Sequence, residues 1–191
     1  INDLTRVFDK NIGAFEAIQQ GAKILREQGV EYGYLTVVSK HNVSRIDEII
    51  DFMVQQDKRF KLVAVSPIGR AAKAMDDIMM EGDNFSDSQI RLFERWMNKG
   101  DLCERSALWK YIVPVLTGDP IECIFQEDCQ KSFIGVDSNG DVYPCGRFCG
   151  GDKFKYGNIG VDHFEDIWDN PLRLALKERS KNLPQGCQKC Q

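Results

Sequence analysis

The seven cysteines of this 191-residue sequence are the residues whose type and spacing point most directly to chemistry. None precedes Cys103, and the other six fall within the last 69 positions. An odd number of cysteines, in a chain long enough to build a core without crosslinks, favours metal or cluster ligation in a reducing cytosol over disulfides. The six clustered cysteines are Cys123, Cys129, Cys145, Cys149, Cys187 and Cys190.

The first three of these thiols have a spacing that suits a site built from a loop and a hairpin. Five residues separate Cys123 from Cys129, and ten residues, Gly140 and four more residues lead from Cys129 to Cys145. A hairpin turn at Asn139-Gly140 would return Cys145 to the loop between the first two cysteines. Three thiolates could then cap one face of a metal ion or a cubane cluster.

The remaining cysteines leave several interpretations open. Cys187 and Cys190 form a C-x2-C pair, which is compatible with zinc, an iron–sulfur cluster or a redox dithiol. Cys149 is either a local fourth ligand or an inert thiol, and together with Cys145 and the C-x2-C pair it could also complete a four-thiolate zinc site. We interpret Cys103 as a core residue rather than a ligand.

Composition excludes several classes of protein. The chain has 25 Lys and Arg against 29 Asp and Glu, a net charge of −4, which argues against an extended nucleic-acid-binding surface. No run of apolar residues is long enough to span a membrane, and no signal peptide opens the sequence. We therefore expect a cytoplasmic protein with no nucleic-acid or membrane partner.

Hydrophobic periodicity predicts alternating helices and strands up to about Gly100. Two strands separated by a helix predict a parallel β-α-β unit. In the helix predicted over Ser86–Asn98 we expect Ile90, Phe93 and Met97 to form the apolar stripe. The predicted elements are a helix over Gly13–Gln28, a strand over Tyr32–Val38, a helix with Ser44 as its N-cap, a strand over Phe60–Val65 and a helix over Ser86–Asn98.

After Gly100 the sequence becomes rich in glycine and cysteine, and the predicted elements become short. Ile134–Asp137 and Asp141–Tyr143 predict a hairpin whose Asn-Gly pair forms a type I′ turn. One more helix is predicted from Val161 or Phe164 to Arg179, with a break near Pro171. The predicted domains are therefore an α/β part, residues 1–100, and a cysteine-rich part, residues 101–191.

The cysteine pattern resembles the SPASM domain, the auxiliary iron–sulfur module of radical S-adenosylmethionine (SAM) enzymes that modify peptides and proteins. That family begins with C-x9–15-G-x4-C, usually has a further cysteine upstream, and continues after a longer gap with C-x2-C. The matching positions in this sequence are Cys123, Cys129, Gly140, Cys145, Cys187 and Cys190.

Further stretches resemble the same enzymes. Tyr156–Ile159 and Phe164–Trp168 are similar to the segment that links the cysteine groups of SPASM domains. Asp3–Arg6, Gly13–Glu16, Thr36–Val38 and Asn42 resemble the second half of the radical SAM barrel in sulfatase-maturing and peptide-modifying members. The implied fold is α/β: the C-terminal half of a radical SAM partial (β/α)6 barrel, followed by a small cysteine-rich SPASM-type module with a β-hairpin.

The resemblance implies radical chemistry on a peptide or protein substrate. In such enzymes a catalytic [4Fe–4S] cluster cleaves SAM to a 5′-deoxyadenosyl radical that abstracts hydrogen, with electrons from a donor such as flavodoxin or ferredoxin. Auxiliary [4Fe–4S] clusters assist electron transfer or substrate binding. The implied site residues are Cys123, Cys129 and Cys145 on the first auxiliary cluster, Cys187 and Cys190 on the second, and Arg6 on SAM.

This sequence also departs from the family. It lacks the C-x3-C-x2-C loop of the catalytic cluster and the cysteines that should follow Cys190, so we interpret it as a fragment that cannot perform radical chemistry alone. Gly146 stands where sulfatase-maturing members carry an acid, which favours modification of ribosomal peptides. The alternatives are a zinc-stabilised or cluster-bearing peptide-binding module without chemistry, and a relative that has lost its catalytic cluster and serves as a scaffold.

Overall fold

A computed structural model describes residues 1–8, 12–100, 105–119, 130, 133–185 and 188 of the chain. The chain divides into two units, residues 1–117 and residues 118–191. Residues 105–117 belong to the first unit, where the backbone of Phe60 bonds to Arg105 and Ala107 at 2.8 and 2.9 Å. None of the helices in the described ranges has the length and apolarity that crossing a bilayer demands.

The first unit alternates helices with two parallel strands. Gly33 lies opposite Arg59 and Val38 opposite Ala64, which confirms the predicted β-α-β unit. The first predicted helix is confirmed as well, and Gly29 follows its end with a left-handed φ of 66°. The elements are α1 (Phe15–Glu27), β1 (Gly33–Val38), α2 (Ile46–Gln55), β2 (Arg59–Ala64), α3 (Met75–Ile78), α4 (Gly82–Lys99) and α5 (Trp109–Thr117).

The core of the first unit lies between one face of the sheet and the helices α2 and α4. Its buried members are Val38, Ile46, Ile49, Ile50, Met53, Phe60, Leu62 and Leu92. Each such side chain contributes roughly 1.5–3 kcal/mol of hydrophobic stabilisation relative to an exposed one. The opposite face of β1 carries Leu35 and Val37, which are 65% and 39% exposed.

The start of α2 differs from the prediction. Its N-cap is Arg45, and Ser44 lies inside a preceding 3₁₀ turn over Val43–Arg45. The local polar contacts come from Asn42 instead, whose Oδ1 accepts from Ser39 N at 2.9 Å and whose Nδ2 donates to the Val37 carbonyl at 3.0 Å. The Asn42 side chain therefore fixes the connection between β1 and the turn, and the predicted cap at Ser44 is wrong.

Helix α4 starts earlier than predicted and buries a different face. It begins at Gly82, four residues before the predicted start at Ser86, and Ser88 is completely buried and donates to the Asn84 carbonyl at 2.9 Å. Leu92 packs in the core, whereas the predicted stripe is exposed, with Ile90, Phe93 and Met97 at 54%, 38% and 64%. The prediction was wrong because α4 carries two apolar stripes at helical spacing, and Phe85, Leu92 and Trp96 face the core.

In its described residues the second unit contains a small antiparallel sheet and two short helices. The strands pair in the order Gly135–Val136, Asp141–Tyr143, Gly157–Asn158, and the core consists of Val142, Tyr156 and Ile167. The helix predicted to break near Pro171 is confirmed as two helices, and Asn170 caps the second by accepting from Leu172 N at 2.9 Å. The elements are β3 (Gly135–Val136), β4 (Asp141–Tyr143), β5 (Gly157–Asn158), α6 (Phe164–Trp168) and α7 (Pro171–Lys177).

The hairpin between β3 and β4 is confirmed, but its turn is not type I′. Among the described turn residues, Gly140 has a positive φ of 87° and Asn139 does not. Gly140 N donates to the Asp137 carbonyl at 2.9 Å, and Asp137 N donates to the Asp141 carbonyl at 2.8 Å. These bonds define a three-residue loop that ends in a left-handed glycine. Asn139 is free to use its side chain, which bonds to Asp141.

Candidate metal centre

The chain after β4 carries the two candidate ligands that the structure describes, Cys145 and Cys149. Both are free thiols and half-buried. Cys145 follows the fully buried Pro144, and Phe148 N donates to the Cys145 carbonyl at 3.0 Å, which turns the chain tightly. Cys149 Sγ lies 3.9 Å from the same carbonyl oxygen. The turn therefore brings the second thiol against the backbone of the first cysteine.

The surroundings of Cys149 keep its thiol protonated in the absence of a metal. Burial raises the pKa of the Cys149 thiol, and the negative charges of the Asp137 carboxylate and of an ionised Cys145 raise it further. A thiol with a raised pKa is a poor nucleophile at neutral pH, because the thiolate is the reactive form. A bound metal ion reverses the effect, since coordination removes the proton. Cys149 therefore suits ligation or an inert role rather than nucleophilic catalysis.

Strand β3 approaches Cys145 so closely that residue 135 must be glycine. A Cβ added to Gly135 would lie 2.9 Å from the Cys145 carbonyl carbon and 3.1 Å from Gly146 N. Because residue 135 has no side chain, it can pair with Tyr143 without displacing Cys145. Our reading of the sequence missed this residue, although a glycine inside a predicted strand is a known signal of close backbone approach.

A polar network centred on Asp141 fastens the hairpin to β5. Asp141 Oδ1 pairs with Lys155 Nζ at 2.5 Å and accepts from Asn158 Nδ2 at 2.8 Å, and its Oδ2 accepts from Asn139 Nδ2 at 2.8 Å. Lys155, then Asn158 and Asn139, lower the pKa of Asp141 to about 2. Asn158 belongs to the Tyr156–Ile159 stretch singled out in the sequence, and this network gives Asn158 a structural role.

Three buried polar side chains form a second network in the same unit. Gln130, Tyr156 and Arg173 are only 2%, 4% and 3% exposed. Tyr156 Oη donates to Gln130 Oε1 at 2.6 Å, and Arg173 donates to the backbone carbonyls of Gln130 and Trp168 at 2.7 and 2.8 Å. Gln130 Nε2 in turn donates to the Pro144 carbonyl at 3.5 Å. Sequence reasoning missed this network because its members are far apart along the chain.

The first unit contains a cleft of about 450 Å³ that Arg6 lines. Asn42 and the exposed face of β1 line it as well. Arg6 is exposed and anchored through its backbone, since Ala14 N donates to the Arg6 carbonyl at 3.1 Å. Within the described residues its guanidinium makes no hydrogen bond or ion pair, so its donors are available for an anionic ligand. The predicted cofactor residue thus lies at a cavity.

Four predicted ligands, Cys123, Cys129, Cys187 and Cys190, lie outside the described residues, as does Cys103. In the ranges that are described, no three His, Cys, Asp or Glu side chains group into a metal site. The described candidates nevertheless fit an iron–sulfur cluster, because thiolates are the ligands that such clusters use and Gly135 leaves Cys145 undisplaced. The ligand set itself stays a prediction.

Residues 123–191 match the model of SPASM, an iron–sulfur cluster-binding domain. The chain is also similar to the cysteine-type anaerobic sulfatase-maturating enzyme of Clostridium perfringens (strain 13 / Type A), with 21% identity over 100% of this chain and 52% of that protein. Mycofactocin maturase MftC of Mycobacterium ulcerans (strain Agy99) is 24% identical over 93% of this chain and 47% of that protein. The chain therefore spans about half the length of the curated relatives it matches.

Solved structures share the fold. The structure of native anSMEcpe with bound AdoMet and Kp18Cys peptide matches this chain with a TM-score of 0.79 at 20% sequence identity. The match covers 99% of this chain and 53% of the anSMEcpe chain. Native anSMEcpe with bound AdoMet gives the same TM-score. The mixed α/β fold of the chain resembles the C-terminal half of these structures. Residues 123–191 therefore match an iron–sulfur cluster-binding domain, SPASM, in a chain that is homologous to an anaerobic sulfatase-maturating enzyme and to a mycofactocin maturase.

Proposed function

We propose that this chain is part of a radical SAM enzyme that modifies a peptide or protein substrate. The observation that carries the proposal is the SPASM match over all six clustered cysteines, in a chain whose homology to two maturases extends beyond that domain. SAM bound to a catalytic [4Fe–4S] cluster would supply the 5′-deoxyadenosyl radical that abstracts hydrogen. The proposal assigns the catalytic cluster to a part of the enzyme that this sequence does not contain.

The second unit would hold the auxiliary clusters. Cys123, Cys129 and Cys145 would ligate one [4Fe–4S] cluster, and Cys187 and Cys190 would contribute to another. Cys149 is the candidate for a local extra ligand, supported by its half-buried position beside Cys145. Gly135 would keep Cys145 in place, and the Asp141 network would hold the hairpin that carries it. These clusters would aid electron transfer or substrate binding.

The first unit would form the second half of a radical SAM partial barrel and contribute to SAM binding. The exposed face of β1, with Leu35 and Val37, would line the barrel interior together with the cleft. The guanidinium of Arg6 would bind the carboxylate of SAM, since a planar array of donors suits a carboxylate. Asn42, fixed by two hydrogen bonds, would shape the same wall.

The partners would be a peptide or protein substrate and an electron donor such as flavodoxin or ferredoxin. Both curated relatives are maturases, and the solved structure with a Kp18Cys peptide contains both AdoMet and that peptide. Gly146 brings no carboxylate to the position after Cys145, which favours a ribosomal peptide over a sulfatase as the substrate.

Formation of 5′-deoxyadenosine tests the proposal. The full-length enzyme that contains this chain, reconstituted anaerobically with iron and sulfide, should convert SAM to 5′-deoxyadenosine when dithionite is added. Arg6→Gln should weaken SAM binding about 10- to 150-fold, because a charge-assisted hydrogen bond contributes roughly 1.5–3 kcal/mol. Arg26→Gln, a matched exposed arginine on α1, should leave SAM affinity unchanged. No 5′-deoxyadenosine from protein with a complete set of clusters would contradict the proposal.

A further inference from the structure

Arg173 is a buried cation whose environment the ligand assignment does not explain. The residue is 3% exposed, and its guanidinium stacks over the Trp168 ring at 3.6 Å. Two of its nitrogens donate to carbonyl oxygens, and the buried Nε has no hydrogen-bond partner among the residues that the structure describes. Within the described residues Arg173 forms no ion pair with a carboxylate. A permanently charged group in such a place is costly unless negative charge lies nearby.

The hydrogen bonds of Arg173 lead to residues beside two candidate cluster ligands, and a cluster bound there would carry such a negative charge. Its Nη2 donates to the carbonyl of Gln130, the residue that directly follows Cys129. The side-chain amide of Gln130 then donates to the carbonyl of Pro144, the residue that directly precedes Cys145. Adjacent Cα atoms are only about 3.8 Å apart. Arg173 is therefore connected, through Gln130, to the segments that adjoin two candidate cluster ligands.

We propose that Arg173 is a positioning residue for the first auxiliary cluster and that its positive charge raises the reduction potential of that cluster. The inference rests on the proposed function, because it needs a cluster at Cys129 and Cys145. Gln130 links the two ligand-bearing segments, and Tyr156 orients the Gln130 amide. The charge of Arg173 favours the reduced cluster, which carries one more electron than the oxidised form. Cluster potentials depend on hydrogen bonding and on local charge.

The test is the reduction potential of the first auxiliary cluster in the full-length enzyme, with the C-x3-C-x2-C cysteines and Cys187 and Cys190 replaced by alanine. Dithionite supplies one electron to each oxidised cluster, and electron paramagnetic resonance follows the reduced form. Arg173→Gln should lower the reduction equilibrium constant about tenfold, a shift of about 59 mV to more negative potential. Lys177→Gln, which removes an exposed charge from the same helix α7, should shift it less than twofold. Arg173→Lys should restore most of the potential.

A milder variant covers the case in which Arg173→Gln fails to fold. Tyr156→Phe removes only the hydroxyl that bonds to Gln130, and it should accelerate the loss of iron to a chelator several-fold. Equal potentials in wild type and Arg173→Gln would overturn the inference, as would an equal shift in Arg173→Lys, or an unchanged rate in Tyr156→Phe. These results would leave the proposed function intact. Wild-type enzyme without any cluster would overturn both.

Discussion

The position of Cys145 depends on residues that touch its backbone rather than its sulfur. Gly135 lies against its carbonyl group, Pro144 is buried directly before it, and the chain turns tightly after it. A cluster ligand must be held in place before the metal arrives, because second-shell contacts orient the first. We therefore expect substitutions around Cys145 to affect cluster binding even where no ligand is lost.

Gly135→Ala tests this expectation. The added methyl group would lie 2.9 Å from the Cys145 carbonyl carbon, so β3 or Cys145 must move. We expect a loss of about 1–3 kcal/mol in unfolding free energy and a lower iron content after reconstitution. Gly146→Ala is the matched control, because a Cβ there meets nothing within 4 Å. Equal iron contents in the two variants would show that the close approach does not matter.

Asp141 makes the stability of the second unit depend on pH. Its pKa is about 2 in the folded chain against an ordinary 3.8, so its ionised contacts stabilise the fold above pH 4. That contribution is lost as the pH falls from about 4 to 2. We expect Asp141→Asn to lower the unfolding temperature at pH 6 and to match wild type near pH 2. Asp87→Asn, which changes an exposed carboxylate on α4, is the control. A difference that persists unchanged at pH 2 would contradict this assignment.

Helices α2 and α4 depend on each other for packing. Leu92 lies in the same core as Ile46 and Ile50, and Arg91 pairs with Asp47 across the two helices at 2.7 Å. The Arg91–Asp47 pair is exposed and contributes little, typically about 0–1 kcal/mol. The buried side chains therefore determine how α4 sits on α2.

Two alanine variants distinguish the buried face of α4 from the exposed stripe. Leu92→Ala should cost about 2–5 kcal/mol of unfolding free energy, because it opens a cavity in the core. Ile90→Ala, at a residue that is 54% exposed, should change it by no more than about 0.5 kcal/mol. Urea denaturation measures both values. A larger cost for Ile90→Ala would mean that the stripe predicted from the sequence is the buried one.

Local patterns predicted the elements better than their ends and faces. The β-α-β unit followed from a single apolar period in each segment, and Pro171 marked the break between α6 and α7. The face of α4 could not be chosen, because two apolar stripes satisfy the same period and only the contact with α2 selects one. The turn at Asn139 was misassigned because a type I′ turn needs a positive φ at both residues of the Asn-Gly pair, whereas only Gly140 has one and Asn139 bonds locally to Asp141.

At the scale of the whole molecule, the cysteine spacing predicted the SPASM domain, because cluster ligands are tied to fixed positions in the sequence. The Gln130–Tyr156–Arg173 network was beyond reach from the sequence, since burial of polar groups becomes visible only when distant segments meet. Arg6 was found by resemblance alone, and its place at a cleft emerged from the fold.

The metal content of the anaerobically purified full-length enzyme tests the central claim most directly. Iron, acid-labile sulfide and zinc would be measured in wild type, Cys145→Ala and Cys103→Ala, with Mössbauer spectroscopy to identify the clusters. We expect iron and sulfide in equal amounts with [4Fe–4S] signals, a loss of one cluster in Cys145→Ala, and no loss in Cys103→Ala. Stoichiometric zinc without acid-labile sulfide, or an unchanged iron content in Cys145→Ala, would contradict the account.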